Sequence, residues 1–456
     1  MKIALLFPRF KYPSGDPPLG IGYIASSILK NTSSEVDVID TTFIRDPLDY
    51  LRKKFTEENY ALVGVSLMTS MLKDSLNCAN LIRKINPKTK ILFAGPHPTI
   101  MPEETLRNKN VDAVVLCEGE LTIVDLIKNS LDFKNVKGLW YKEKGKIVRN
   151  LPREPINNLD NLPFPEHKLI LTEDYFKNWF QMDVSVGKLR GTNIITSRGC
   201  PYNCSYCQPT LKSIFGDKIR KRSPKNIIEE LKFLKKKYKI NSFFFQDDTF
   251  IFDKKWVLEI CDELIKNKLN LKWGCNVRAN LVTKNLLSKM KSAGLVKVAL
   301  GIESGSQRVL DDVYHKGITL EQVRNAVNII KDLDISCRGY FMMGAPTETE
   351  EEIKKTIKFA NSLGVDEATF SITTPLPHTH LYEKTKGMII KDVEEFDYYK
   401  NPVYSNKITL SPKKLTNLRR EALLKFYLSP KRIIKTLQSF ISPSEIGTTF
   451  YKLKRF

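Results

Sequence analysis

Two successive α/β segments are predicted, a doubly wound parallel sheet and then a partial (β/α)6 barrel. Two patterns carry this expectation. Over residues 1–145, short apolar runs alternate with amphipathic helical patterns. Over residues 191–390 the alternation returns as strand–helix repeats, with polar residues or glycine at the carboxyl end of each strand. A third observation is chemical. The loop after Ile194 and Ile195 reads Thr196-Ser197-Arg198-Gly199-Cys200-Pro201-Tyr202-Asn203-Cys204-Ser205-Tyr206-Cys207, which spaces its cysteines C-x3-C-x2-C.

Length and composition bound the answer. A chain of 456 residues is too long for one ordinary core, so two or three domains are the natural prior. Hydrophobic content of 42% and charged content of 27% belong to a folded chain rather than a disordered one. The formal charge of +22 points to nucleic acid, an anionic surface, a phosphorylated substrate or only a lysine-rich proteome. The lysines are spread along the chain, which leaves the last reading open. Eight cysteines do not make a disulfide framework at this length; Cys78, Cys117, Cys261, Cys275 and Cys337 lie singly, as buried thiols do. The start, Met1 to Pro8, does not read as a signal peptide, and no apolar run has the length of a membrane span. A reduced, cytoplasmic setting is expected.

In the first segment, strands are expected at 3–7, 36–39, 62–67, 91–94 and 113–116, with helices near 20–29, 72–85 and 121–131. Near-continuous apolar strands between amphipathic helices imply a parallel sheet covered on both faces, a Rossmann-like domain. Its ligand should sit beyond the carboxyl ends of the strands. Those ends carry Leu19-Gly20, Met68-Thr69, Gly95-Pro96-His97-Pro98 and Cys117-Glu118-Gly119. No G-x-G-x-x-G follows the first strand, so a nicotinamide or flavin dinucleotide is not expected.

Residues 146–190 read as a linker, because Pro152, Pro155, Pro163 and Pro165 break any periodicity. This stretch either walls the active site or is a spacer. The barrel strands then end at the cysteine loop, at Gln246-Asp247-Asp248, at Asn276-Val277-Arg278, at Gly301-Ile302-Glu303-Ser304-Gly305, at Gly344-Ala345-Pro346 and at Thr373-Thr374. Barrel sites lie on that face.

Three close thiolates with no nearby fourth cysteine or histidine suggest an iron–sulfur cluster with one iron left open, since closed sites take four protein ligands. Unrelated core cysteines are the alternative. The spacing, with an aromatic before the third cysteine, resembles the radical S-adenosylmethionine (SAM) superfamily, and the resemblance extends over the whole barrel segment. It implies a [4Fe-4S] cluster on Cys200, Cys204 and Cys207. It also implies a SAM site drawn from Tyr206 packing on adenine, one of Asp247 and Asp248, Glu303 and Ser304, Arg278 at a carboxylate or ribose, and Gly344 near adenine. Two adjacent aspartates point to opposite faces of an extended segment, so one should face SAM while the other caps the next element. A surface salt bridge is the alternative for Arg278.

The strand-end loops of the first segment, taken in order, resemble the cobalamin-binding domain of the B12-dependent radical SAM class. That resemblance implies a cobalamin seat from Leu19, Gly20, Thr69, Gly95, Pro96, His97, Glu118 and Gly119, lying between the two domains. The D-x-H-x-x-G motif that ligates cobalt from below in related domains is missing. The cofactor is therefore expected base-off without a histidine ligand. Met68 is a candidate to shield the lower face, with a core methionine as its alternative.

The class implies reductive SAM cleavage to a 5′-deoxyadenosyl radical, here for C-methylation of an unactivated carbon in a small-molecule or lipid substrate. An electron donor such as flavodoxin or ferredoxin is implied as partner. A cyclase or rearranging enzyme using the same cofactors, a lipid-modifying enzyme without methyl transfer and a non-catalytic carrier are the competing readings. Residues 391–456 read as helical and basic, with Lys413, Lys414, Arg419, Arg420, Lys425, Lys431, Arg432 and Lys435 flanking apolar residues such as Leu418, Leu423, Phe426, Ile433, Ile434 and Leu437. Packing on the protein and lying on an anionic membrane surface are both open for this tail. Nucleic acid is not expected, because no appended binding module is visible.

Overall fold

The computed structural model describes residues 1–182, 189–396, 402–405, 410–429 and 432. The chain forms two compact units. One holds Met1–Tyr175, Thr210–Arg220 and Val393–Glu395; the other holds Phe176–Pro209, Lys221–Asp392 and the described residues from Phe396 onward.

The first unit runs β1 (Lys2–Phe7), α1 (Leu19–Asn31), β2 (Glu35–Asp40), α2 (Pro47–Glu57), β3 (Leu62–Ser66), α3 (Leu72–Ile85), β4 (Lys90–Ala94), α4 (Pro96–Ile100), α5 (Pro102–Arg107), β5 (Ala113–Val115), α6 (Glu120–Lys128), β6 (Leu139–Glu143) and β7 (Lys146–Arg149). The strand order is β2-β1-β3-β4-β5-β6-β7. The first five strands pair in parallel, whereas β6 and β7 add as antiparallel edge strands. Ile3, Ala4 and Leu6 of β1 are fully buried, as a strand covered on both faces requires. The chain reverses direction across the sheet between β1 and β3, and the carboxyl ends at that switch are where open α/β sheets take ligands.

Three features depart from the sequence reading. Helix α2 was not foreseen, because it buries only Leu51 and Phe55, four residues apart in a charged stretch. Residues 146–149, expected as linker, form β7. The hairpin turns through Lys144 and Gly145, both at positive φ (49° and 77°), as a two-residue turn of matching twist demands. Much of the remaining linker is tied down as well. Short helix α7 (His167–Ile170) follows Pro165, and Glu166 N–H donates to the Gly22 carbonyl of α1 at 2.9 Å. A Cβ on Gly22 would lie 2.7 Å from Ile170 Cδ1, so only glycine admits this contact. Helix α8 (Glu173–Lys177) presents Tyr175, whose hydroxyl reaches Asp40 and Thr42.

The chain continues through β8 (Gly191–Ile194), β9 (Ser197–Arg198), α9 (Thr210–Phe215), β10 (Arg220–Lys221), α10 (Pro224–Tyr238), β11 (Ser242–Phe245), α11 (Lys254–Lys266), β12 (Lys272–Val277), α12 (Lys284–Ser292), β13 (Leu295–Glu303), α13 (Leu320–Asp332), β14 (Ser336–Met343), α14 (Glu350–Ser362), β15 (Glu367–Ile372), α15 (His380–Thr385) and α16 (Pro412–Tyr427). Strands β8, β11, β12, β13, β14 and β15 form one parallel sheet in sequential order, the expected partial barrel. Its helices start at strong caps. Ser223, Asp253 and Thr283 accept from the N3 amides of α10, α11 and α12, and Thr319 and Thr349 build full capping boxes with Gln322 and Glu352.

Two residues ahead of β8 cover part of this sheet. Trp179 and Met182 pack with Phe244 and Ala299, beside Tyr340. Trp179 Nε1 donates to Asn193 Oδ1 at 2.8 Å, and its ring lies against Gly191, where a Cβ would sit 2.0 Å from a ring carbon. The described part of this stretch is thus packed on the sheet.

Edge strand β15 is closed by side chains. Arg419 Nε donates to the Phe370 carbonyl at 2.8 Å, the Tyr427 hydroxyl bridges the Ala368 N–H and carbonyl, and Arg432 reaches the Val365 carbonyl. Leu415, Leu418, Ala422, Leu423 and Phe426 form the buried face of α16. That helix uses its apolar side on its own protein; Lys431, Ile433, Ile434, Lys435 and Leu437 lie outside the described residues. Among the described residues no helix is long and apolar enough to cross a membrane.

Gly191→Ala should lower the thermal unfolding midpoint, since overpacking of this kind costs about 1–3 kcal/mol. Adding Trp179→Leu should recover part of the loss. Additive losses in the double variant would show that the two residues do not share one space.

Candidate active site

In the first unit the strand-end loops differ in what they offer. Gly20 is exposed in the first turn of α1, and a Cβ there would meet nothing within 4 Å. Leu19, by contrast, is buried, and Pro96 is exposed. Thr69 Oγ1 lies 3.2 Å from His97 Nδ1, both residues are buried, and among the described residues His97 Nε2 has no hydrogen-bond partner. Burial pushes the imidazole down to about 4, so His97 is neutral at ordinary pH. Met68 is 39% exposed, which removes the core-methionine alternative.

Three residues expected to line the same seat have other duties. Gly95 takes φ +107° and a Cβ would lie 2.8 Å from the Leu67 carbonyl, so the close approach it permits is to its own backbone. Gly119 faces Ile24 and Val115 within α1–β5 packing. Glu118 is buried, accepting from Arg220 Nη1 at 2.7 Å and from Ile156 N–H at 2.8 Å. A buried pair of this kind braces the fold, because losing either partner strands a charge.

In the second unit the cysteine loop leaves β8 and β9 through Gly199 at φ +96°. It rests on the turn that follows a single π-helical turn at Val309–Val313. Ser205 N–H donates to the Tyr314 carbonyl at 2.9 Å and Ser205 Oγ to the Val313 carbonyl at 2.6 Å. Cys204 is buried, while Cys200 and Cys207 are partly exposed. Burial raises the Cys200 thiol, and burial with the neighbouring Cys204 raises Cys207 strongly. Among the described residues no three His, Cys, Asp or Glu groups converge on a single metal ion. A polynuclear cluster does not ask for that, because each of its irons takes its own thiolate.

Tyr206 and Glu303 meet here. Glu303 stands at φ +68°, an uncommon conformation for a side chain of this size, just after a bulge at Gly301 that re-aims the end of β13. Its Oε1 accepts from the Lys316 ammonium at 2.8 Å and from the Tyr206 hydroxyl at 3.3 Å, and Lys316 also donates to Tyr206 at 3.0 Å. A Cβ on Gly301 would lie 2.7 Å from Glu303 Oε1 and 2.9 Å from Lys316 Nζ. Lys316 was missed in the sequence; its only local signal, a glycine following it, is too weak to single out one lysine.

The two aspartates face opposite ways, as expected. Asp247 is buried, accepting from Thr196 N–H at 3.1 Å, from Thr196 Oγ1 at 2.9 Å and from the Ser197 hydroxyl. It therefore grips the strand end that launches the cysteine loop instead of capping α11, a role that belongs to Asp253. Asp248 reaches the open side, yet the surrounding protein mass and the Asp247 carboxylate push it up to about 6.

Three further expected SAM contacts are engaged by the protein itself. Ser304 is fully buried and bonds Thr356 of α14 at 3.2 Å, while a Cβ on Gly305 would meet Thr356 Cα at 2.7 Å. This end of the strand is packing for α14. Gly344 is covered by Leu415 of α16, where a Cβ would lie 2.4 Å from Cδ2, and its carbonyl accepts from the Tyr404 hydroxyl. Its N–H and that of Ala345 donate to Glu348 Oε2 at 2.6 and 2.9 Å. Among the described residues Arg278 meets no carboxylate, and it is buried. It stacks on Tyr202 and points Nη1 at Cys204 Sγ, 3.6 Å away.

Residues 11–127 match the B12 binding domain model and residues 194–360 the Radical SAM superfamily model. The chain is 35% identical to the uncharacterized methyltransferase PH0819 of Pyrococcus horikoshii, covering 96% of this chain and 95% of the relative. It belongs to the cobalamin-dependent radical SAM enzymes. An anaerobic magnesium-protoporphyrin IX monomethyl ester cyclase of Rubrivivax gelatinosus is 27% identical over 100% of this chain and 85% of its own length. Among solved structures, the cobalamin-dependent radical enzyme OxsB with aqua-cobalamin and SAM bound aligns at TM-score 0.75 and 18% identity, over 99% of this chain and 70% of that one. At that identity the likeness speaks for the fold.

Glu348 supplies a pH test. Burial pushes its carboxyl up to about 8 against an ordinary 4.5. The folded state then holds a proton that the unfolded state releases, so stability falls as pH rises from about 4.5 to about 8. Glu348→Gln keeps the acceptor for both amides and should flatten that decline in a series of thermal melts. An unchanged slope would show that Glu348 ionises freely in the fold.

Proposed function

We propose that the chain is a cobalamin-dependent radical SAM C-methyltransferase acting on an unactivated carbon of a small-molecule or lipid substrate. The observation that carries this reading is the cysteine loop resting on the buried Glu303–Lys316 pair, in a chain whose other unit matches a B12 domain.

The residues fit the groups the class requires. Cys200, Cys204 and Cys207 would hold three irons of a [4Fe-4S] cluster, and coordination removes the proton that burial otherwise retains on a thiol. Tyr206, Glu303 and Asp248 would hold SAM. Lys316 keeps the Glu303 carboxylate oriented and leaves its second oxygen as an acceptor for an ammonium group. Gly20, Thr69, His97 and Met68 would contact cobalamin, and among the described residues His97 Nε2 has no hydrogen-bond partner. When bound, the cluster and SAM supply one-electron chemistry and cobalamin supplies methyl-carrier chemistry. The chain's own part is to orient and to keep water out, to which the apolar cluster of Trp179 and Met182 on the sheet would contribute. A low-potential donor such as flavodoxin or ferredoxin would deliver the electron. A ring-forming reaction is the second reading, favoured by the full-length likeness to the Rubrivivax cyclase.

Anaerobic reconstitution with iron, sulfide and hydroxocobalamin, followed by SAM and a strong reductant, separates these readings. Bound cobalamin together with S-adenosylhomocysteine supports methyl transfer. Formation of 5′-deoxyadenosine with no S-adenosylhomocysteine supports ring formation, and failure to retain cobalamin removes the methyltransferase reading. Cys204→Ala should reduce both cluster absorbance and 5′-deoxyadenosine to background; survival of either would refute the ligand assignment.

A further inference from the structure

Arg278 follows β12 and is 6% exposed. Its guanidinium carbon lies 3.9 Å from the centroid of the Tyr202 ring. Nη1 donates toward Cys204 Sγ at 3.6 Å, and Nη2 toward the Gly317 carbonyl at 3.4 Å. Nε is buried without a hydrogen-bond partner. Among the described residues its polar partners are thus a sulfur and a carbonyl, with no carboxylate to offset the cation. The ring of Tyr202 occupies one face of the guanidinium and keeps water from it, so the charge is screened less than at an open surface.

We propose that Arg278 tunes the cluster, donating a charge-assisted hydrogen bond to the Cys204 thiolate and thereby raising the reduction potential. This rests on the reading of the three cysteines as cluster ligands. Reduction adds a negative charge to a group that is already anionic. A fixed cation and a donor on a ligating sulfur stabilise the reduced form more than the oxidised one, and both are recognised levers on such potentials. Arginine suits the task better than lysine. Its planar fork spans Cys204 and Gly317 at once while lying flat on an aromatic ring. The same contacts tie the cysteine loop to the turn that carries Lys316, so one side chain couples the sulfur environment to the Glu303 pair.

The test is an anaerobic redox titration of the reconstituted wild type, Arg278→Lys and Arg278→Gln, followed by EPR of the reduced cluster. Arg278→Gln should shift the midpoint to a more negative potential at full iron content, and Arg278→Lys should shift it less. An unshifted midpoint in a fully loaded Arg278→Gln variant overturns the proposal. Should that variant take up no iron, the wild type decides. With guanidino-15N arginine, pulsed EPR of its reduced cluster should show a nitrogen hyperfine coupling, and none would overturn the proposal. A wild type that binds no cluster removes the ligand reading and this inference together, whereas a loaded protein with an unshifted potential removes this inference alone.

Discussion

The buried contact between Lys316 and Glu303 is the constraint on which the barrel end depends. Two charges removed from water are stable together and costly apart, on the order of 3–5 kcal/mol if one partner is lost. Their meeting needs a bulge at Gly301, a left-handed backbone at Glu303 and a π-helical turn ahead of Lys316. Irregularities of this sort persist only where the surroundings over-determine them. The surroundings here are the cysteine loop itself, which Ser205, Tyr206 and Arg278 bind to the Val313–Gly317 turn. Loop, turn and strand end therefore form one cooperative piece, and displacing one moves the others.

Around that piece, glycine serves close packing more than ligand access. Gly301 leaves room for an ion pair, Gly305 for the backbone of α14, Gly344 for Leu415 and Gly191 for an indole. Each marks a place where two elements come nearer than a Cβ allows. Asp247 works in the same direction from the polar side, with its carboxylate joining the ends of β8 and β11 just where the loop begins.

This explains which parts were legible in the sequence. Strands β1, β5, β8 and β11 are buried almost throughout, so their apolar runs read directly, and the cysteine spacing is local and survives without a structure. Helix α2 was hidden because only Leu51 and Phe55 face inward. The hairpin of β6 and β7 was hidden because its turn depends on Lys144 as well as Gly145. Ser304 and Gly344 also serve packing, and no local pattern tells a polar or glycine residue that packs a strand end from one that binds there. Lys316 and the sulfur contact of Arg278 depend on partners 13 and 74 residues away, which no local pattern encodes.

The half-open sheet carries one more consequence. A parallel sheet that does not close into a ring leaves a row of amides and carbonyls at β15, an invitation to add a foreign strand. Arginine and tyrosine side chains of the C-terminal region occupy that row at Val365, Ala368 and Phe370. They act as a surrogate neighbour without backbone of their own. Arg419, Tyr427 and Arg432 thereby protect that edge from pairing with another chain.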